Sequence, residues 1–142
     1  MTLPAVLAPV FAQALLTFVL LFWMGGVRTK AVRAKAVEVR PGSQRNYGWP
    51  AKAQQVSDAY HNQFELPVLF FALVPLVIIT RKADFLFVLL AWVFVVLRWL
   101  HAFEHTSKNR LRIRFGLFAA GAIVLLIMWA VFAVRILLAA EI

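Results

Sequence analysis

The chain is short, apolar and basic. It has 142 residues, of which 63% are hydrophobic, a formal net charge of +9 and no cysteine, and its mean hydropathy is +0.84. Because soluble domains average roughly 45–50% apolar residues, a chain of this length cannot hide its apolar excess in one water-soluble core. The composition excludes disulfides and protein thiolate chemistry. It favours one membrane domain, residues 1–142, over a nucleic-acid-binding protein, which spreads its basic residues over a soluble fold.

Four apolar runs are long enough to cross a bilayer, which requires roughly 20 residues of helix. Leu3 to Gly26 and Phe115 to Val134 carry no charge at all. The two runs between them are ionisable only near one end. We therefore predict an all-α integral membrane protein, a bundle of four transmembrane helices that span about 3–26, 59–80, 85–103 and 115–137.

The Lys and Arg residues collect on one side of the predicted bundle. Seven lie in segment 28–58 and four lie between the third and fourth spans, whereas the opposite side has only Arg81, Lys82 and Arg135. The positive-inside rule predicts that segment 28–58 is cytoplasmic and that both termini lie outside the cytoplasm. Good helix formers from Thr29 to Arg40 predict that the first helix extends into the cytoplasm, as far as Pro41-Gly42.

Several polar residues fall inside the predicted spans, where the membrane disfavours them. Asn62 and Glu65 are three residues apart, and Arg98, His101 and His105 follow at i, i+3 and i+7, so each set shares one helix face. Because successive spans alternate in direction, these sets reach a similar depth. The residues predicted to converge near the cytoplasmic end are Asn62, Glu65, Arg98, His101 and Arg114.

Each of these residues also has a structural interpretation. Arg98 can extend its guanidinium to the headgroups, Glu65 and Arg98 can form a bridge that joins two helices, and His101 can be a packed histidine. A metal site is not expected, since His101 and His105 have i, i+4 spacing but no third ligand is clearly placed. The residue pattern alone leaves a ligand site and a structural ion pair as alternatives.

The motifs in combination resemble those of the MAPEG family, the membrane-associated proteins in eicosanoid and glutathione metabolism. The second span reads Asn62-Gln-Phe-Glu65-Leu-Pro67, and the third reads Arg98-Trp-Leu-His101 before a basic turn that ends at Arg114. The likeness covers nearly the whole chain and looks closest to the bacterial branch. It implies a multi-pass protein of the bacterial inner membrane that forms a homotrimer.

The resemblance also implies a ligand, glutathione, bound as co-substrate between adjacent subunits near the cytoplasmic helix ends. Asn62 and Glu65 match residues that hold the tripeptide, and Arg114 matches the arginine that stabilises the thiolate. A lipophilic second substrate would enter from the bilayer. The implied glutathione-binding residues are Asn62, Glu65, Arg98, His101 and Arg110, with Arg114 as the catalytic residue.

Three functions remain as hypotheses. The first is a glutathione-dependent transferase or peroxidase that acts on lipophilic electrophiles. The second is a non-catalytic member that binds a lipid or another lipophile, which is favoured because Phe118 stands where several active members carry a tyrosine. The third is a small proton-coupled exporter that uses Glu65, which fits less well because the first span is uncharged and the following loop is long.

Overall fold

The computed structural model describes residues 1–37 and 48–138, and within them it is helical throughout apart from turns. Four stretches are long and apolar enough to cross a membrane, as the sequence predicts. The second stretch consists of two α-helices joined by a short 3₁₀ turn. The elements are α1 (Leu3–Arg33), α2 (Ala51–His61), the 3₁₀ turn (Asn62–Phe64), α3 (Leu66–Ile79), α4 (Phe85–Thr106) and α5 (Leu111–Leu137).

The helices extend beyond the apolar runs that predict them. The second span begins at Ala51, inside the segment predicted to be cytoplasmic, and α5 begins at Leu111 instead of 115. The extension of α1 is shorter than predicted, because this helix ends at Arg33 and not at Arg40. A turn with Lys35 at φ 52° closes it. Pro41-Gly42, the predicted end, lies outside the described residues.

Pro67 accounts for the interruption of the second span. Proline has no N–H group, and its ring clashes with the carbonyl group four residues earlier, so it disfavours a regular helix that runs through it from the preceding turn. Pro67 instead occupies the first turn of α3, where it is tolerated, and Glu65 immediately before that helix has φ −96° and ψ −104°. The chain changes direction between α2 and α3 at this point.

The bend gives the two halves of the second span different neighbours. α2 packs against α1 and α4, whereas α3 packs mainly against α5, and α4 also contacts both α1 and α5. The largest buried cluster joins α3, α4 and α5 and includes Val6 of α1, with the Phe70 and Phe94 rings stacked at a centroid distance of 5.0 Å. α5 is therefore left without α2 beside its first turns, close to the polar residues of α4.

Much of the apolar surface of the single protomer is uncovered. Only 17% of the residues in the most apolar window of α5 are buried, against 44% in α4. Large side chains such as Phe115 and Leu126 are more than two-thirds exposed. Since contiguous apolar surface of this extent is not stable in water, lipid or further copies of the chain must cover it, and the chain is an integral membrane protein.

An ion pair closes the end of the bundle where α3 ends and α4 begins. Arg135 of α5 donates to the Asp84 carboxylate at 2.6 Å. Asp84 also caps α4, since its side chain accepts the N–H of Phe87 at 2.9 Å. The pair thus joins the last turns of α5 to the start of α4.

This ion pair predicts a pH-dependent stability. The hydrogen bond from Arg135 holds the pKa of Asp84 below its ordinary value. The stabilisation of the folded state by this pair is therefore present above the ordinary Asp pKa, and it is lost as the pH falls through the lower pKa of the folded state. Asp84→Asn keeps a capping oxygen and removes the charge. We expect the variant to have a lower Tm than the wild-type protein at neutral pH, with the difference shrinking below about pH 4. A difference that is the same at every pH would contradict an electrostatic role.

Candidate functional site

Arg98 is the most deeply buried charged residue in the described part of the chain. It lies in α4, only 1% of its surface is exposed, and one terminal nitrogen, Nη2, donates to the Asn62 carbonyl oxygen at 2.9 Å. Its Nε and Nη1 atoms are buried without a hydrogen-bond partner. Leaving a buried donor unsatisfied costs about 1–3 kcal/mol, and more for a charged group. The guanidinium is therefore held at a site that lacks acceptors for two of its three nitrogen atoms.

His101 and His105 continue the same face of α4 toward the cytoplasmic end predicted for the bundle. They are 3% and 4% exposed, their rings meet edge to face at 5.7 Å, and both Nδ1 atoms are buried without a partner. The Phe118 ring of α5 lies 6.0 Å from the Arg98 guanidinium carbon and 6.0 Å from the His101 ring centre. Phe118 thus helps to cover the polar face, and it offers no hydroxyl group.

The spacing of Asn62 and Glu65 predicts that they share one face of an α-helix. In the structure they do not. Asn62 begins the 3₁₀ turn, and Glu65 follows that turn as an exposed residue. The backbone carbonyl of Asn62 accepts from Arg98, while the Asn62 side chain donates to the Asp58 carbonyl at 3.2 Å. The interrupted helix therefore presents a backbone acceptor to Arg98.

The predicted bridge between Glu65 and Arg98 is absent from the described residues, where no ion pair joins the two side chains. The charge of Glu65 acts on Arg98 only over a longer distance. The bend at Glu65 turns its side chain toward the surface, whereas the Arg98 side chain points into the bundle. Within one protomer, the described residues therefore do not form the predicted bridge.

Arg110 has a carboxylate partner, which the sequence reasoning overlooked. Its backbone N–H and its Nε both donate to Glu104 Oε1 at 2.9 Å, and its Nη2 donates to Oε2 at 3.0 Å. Glu104 is 5% exposed, and its carboxylate raises the pKa of Arg110. This bidentate pair fixes the turn between α4 and α5. The sequence signal for this pair was Glu104, an acidic residue six positions before Arg110 on the other side of the predicted turn.

Arg114 lies one turn into α5 and is half-buried. Its Nη1 donates to the Asn109 side-chain oxygen at 2.7 Å, and Asn109 adopts φ 52° in the turn. Arg114 is close enough to His101 and His105 for its charge to act on both. The structure thus brings Asn62, Arg98, His101 and Arg114 into one region, with Glu65 at its exposed margin and Arg110 engaged in the adjacent turn.

A glutamine pair behind this region was also missed from the sequence. Gln13 of α1 is fully buried and donates to the Gln63 side-chain oxygen at 3.0 Å. Gln63 in turn donates to the Ala59 carbonyl at 3.0 Å, which anchors the 3₁₀ turn against α1. Gln13 is the only residue with an amide side chain before Arg28. Its position in an apolar run was the sequence signal for a buried polar contact.

The comparison with protein families agrees with this arrangement. The model of the MAPEG family matches residues 6–134, which is nearly the whole chain and includes every candidate site residue. The chain belongs to the MAPEG family. No curated protein and no solved structure matches it significantly. The MAPEG family contains glutathione transferases and peroxidases as well as non-catalytic members, so membership in the family does not by itself assign a reaction.

The different pairing of Arg98 and Arg110 predicts different mutational effects in this MAPEG protein. Replacing the partly unsatisfied Arg98 by the apolar Arg98→Met should change the free energy of unfolding by no more than about 1 kcal/mol, or stabilise the protein, because the buried charge is removed together with its penalty. Arg110→Met is the matched control. It should lower the Tm, because it leaves the buried Glu104 carboxylate unpaired.

Thermal unfolding in detergent, followed by tryptophan fluorescence, compares the two variants directly. If Arg98→Met destabilised the protein as much as Arg110→Met, Arg98 would be a structural residue, and the case for a ligand at this position would fail.

Proposed function

We propose that this MAPEG protein is a membrane-bound, glutathione-dependent transferase or peroxidase that acts on lipophilic electrophiles. The observation that carries the proposal is the buried Arg98, whose Nε and Nη1 have no hydrogen-bond partner among the described residues, next to His101 and within a region that also contains Arg114. An anion supplied by a ligand would satisfy these donors.

Glutathione has the charges that this region could complement. It carries two carboxylates, one ammonium group and one thiol. Arg98 and the Asn62 amide would bind a carboxylate or the peptide backbone, and Glu65 would bind the ammonium group. His101 would contribute a further hydrogen bond through its unpartnered Nδ1. Arg110 would contribute positive charge from the rim, since its side chain is 55% exposed despite its pairing with Glu104.

Arg114 is the residue that we assign to the reaction. A guanidinium group near a thiol favours the thiolate, which is the nucleophilic form. In a transferase reaction, the thiol proton leaves to solvent, the sulfur forms a bond to the electrophilic atom, and the leaving group departs with its electron pair. The apolar side chains around Phe118 and the exposed face of α5 would admit a substrate dissolved in the bilayer.

A homotrimer would complete the site in this proposal. The first turns of α5 do not pack against α2, and the apolar surface of α5 is largely uncovered in the single protomer. A neighbouring subunit could cover this surface and add ligands to glutathione from its own helices. The trimer remains part of the proposal, with membrane lipid as the other possible cover.

Arg114→Ala tests the assignment of the thiolate. We expect at least a tenfold loss of turnover with a chromogenic aryl halide, a loss of about 1.4 kcal/mol or more of transition-state stabilisation, with a smaller change in glutathione affinity. Arg112→Ala is the matched control, because Arg112 lies in the same turn of α5 and is exposed. The ultraviolet absorbance of bound thiolate should fall in parallel with turnover. Unchanged turnover in Arg114→Ala would refute the role of this residue.

The second candidate function is a non-catalytic protein that binds a lipophile. The specific observation in its favour is the Phe118 ring, which covers Arg98 and His101 without a hydroxyl group that could contact a sulfur atom. Under this function, the wild-type protein would show no turnover with any glutathione and electrophile pair, and a lipid would copurify in fixed proportion to the chain. Turnover above that of Arg114→Ala would exclude this candidate.

A further inference from the structure

His105 is a buried titratable side chain that the proposed function leaves unused. Only 4% of its surface is exposed, and its Nδ1 is buried without a hydrogen-bond partner among the described residues. Its ring meets the His101 ring edge to face at a centroid distance of 5.7 Å, on the face of α4 that also carries Arg98. An imidazole nitrogen without a partner therefore lies between the proposed glutathione site and the end of α4.

Contacts from α2 hold this last turn of α4 in place. The Gln55 side chain donates to the backbone carbonyl of His105 at 2.7 Å. Lys52 Nζ donates to the next carbonyl, that of Thr106. These side chains satisfy carbonyl groups that have no partner within the helix at its C-terminal end. His105 therefore stands on a fixed turn that is bound to α2.

Asp58 of α2 gives His105 a carboxylate neighbour. It lies three residues after Gln55, so the two are neighbours on the helix surface, and it is exposed to solvent. Its charge acts on His105 with the sign that favours a cation. The charges that act on His101 come from three basic residues and from no carboxylate. Of the two histidines, His105 is therefore the one with a carboxylate that can stabilise its protonated form.

Two further charges reach His105, and both are positive. They belong to Arg114 of α5 and to Arg98 of the same helix. These charges and the burial of the ring oppose a lasting imidazolium. A thiolate formed beside Arg114 would offset the guanidinium charge, so the opposition is weakest at the moment when a proton leaves the thiol. His105 is thus suited to take up a proton and to release it again.

We propose that His105 is the base that removes the thiol proton of glutathione, an inference that rests on the proposed function and supplies its proton route. The S–H bond breaks, its electron pair stays on sulfur, and the proton bonds to a ring nitrogen of neutral His105. The imidazolium then releases the proton to solvent beside the exposed Asp58 carboxylate, which regenerates the neutral imidazole. Arg114 stabilises the thiolate, while His105 takes up the proton.

The simpler explanation is that His105 only packs against His101. That explanation requires no proton transfer, and it predicts that a folded variant at position 105 forms thiolate at the wild-type rate. A base has the opposite signature. Because the proton ends in solvent with or without His105, its loss should slow thiolate formation and leave the affinity for glutathione nearly unchanged.

The test mixes the full chain in detergent with glutathione in a stopped-flow instrument and follows the ultraviolet absorbance of the bound thiolate. His105→Gln should form thiolate roughly a hundredfold more slowly than the wild-type protein, the lower end of what a general base contributes. Its affinity for glutathione, measured by titration, should stay close to that of the wild-type protein. His61→Gln is the matched control, because it removes an exposed histidine of α2 and should keep the wild-type rate.

Two further readouts separate a base from a packing residue. The wild-type rate should level off as the pH rises, because His105 is then neutral in every molecule, whereas the rate of His105→Gln should keep rising with the hydroxide concentration. His105→Ala removes the ring and leaves space for a small base, so added imidazole should restore much of its rate. A packing role predicts neither result.

The possible outcomes distinguish this inference from the proposed function. A wild-type rate in His105→Gln would overturn the role of His105 and leave the proposed function standing. An equal loss in His61→Gln, or a loss in His105→Ala that imidazole does not restore, would make His105 a packing residue. Absence of thiolate in wild-type protein saturated with glutathione would overturn both the base and the proposed function.

Discussion

The burial of the Arg98 guanidinium within a membrane-spanning helix is the constraint on which the rest of this end of the bundle depends. Placing an arginine in the apolar part of a span costs roughly 2.5–3.5 kcal/mol on insertion scales, so the fold must supply acceptors. It supplies one, the Asn62 carbonyl. That carbonyl belongs to the first residue of the 3₁₀ turn that interrupts the second span before Pro67. The kink, the buried charge and the partial pairing are therefore one structural feature.

Two carboxylates near this end of the bundle have different roles. Glu104 is buried and holds Arg110 in a bidentate pair that shapes the turn into α5. Glu65 is exposed at the kink and has no ion-pair partner among the described residues. It is not paired with Arg98. Its separation leaves one negative and several positive groups at the margin of the same region, an arrangement that complements a zwitterionic ligand with excess negative charge.

The sequence predicted the parts of the fold that follow from hydropathy and helical periodicity. Uncharged runs located the membrane-crossing helices, and the i, i+3, i+7 spacing correctly placed Arg98, His101 and His105 on one face. The prediction from the sequence failed where a local change in backbone conformation decides which way a side chain points. Asn62 and Glu65 were assigned to one α-helical face although Pro67 signals a break. Glu104 was overlooked because its partner, Arg110, lies across a turn, and a contact of this kind has no fixed period.

The most direct test of the account is isothermal titration of glutathione into the purified protein, the Glu65→Gln variant and the Arg98→Met variant. We expect saturable binding to the wild-type protein, at least tenfold weaker binding to each variant, and unchanged binding to Lys82→Gln at the opposite end of the bundle. Absence of binding to the wild-type protein at glutathione concentrations up to several millimolar would contradict a glutathione site at the buried Arg98. Equal binding to all four proteins would contradict it as well.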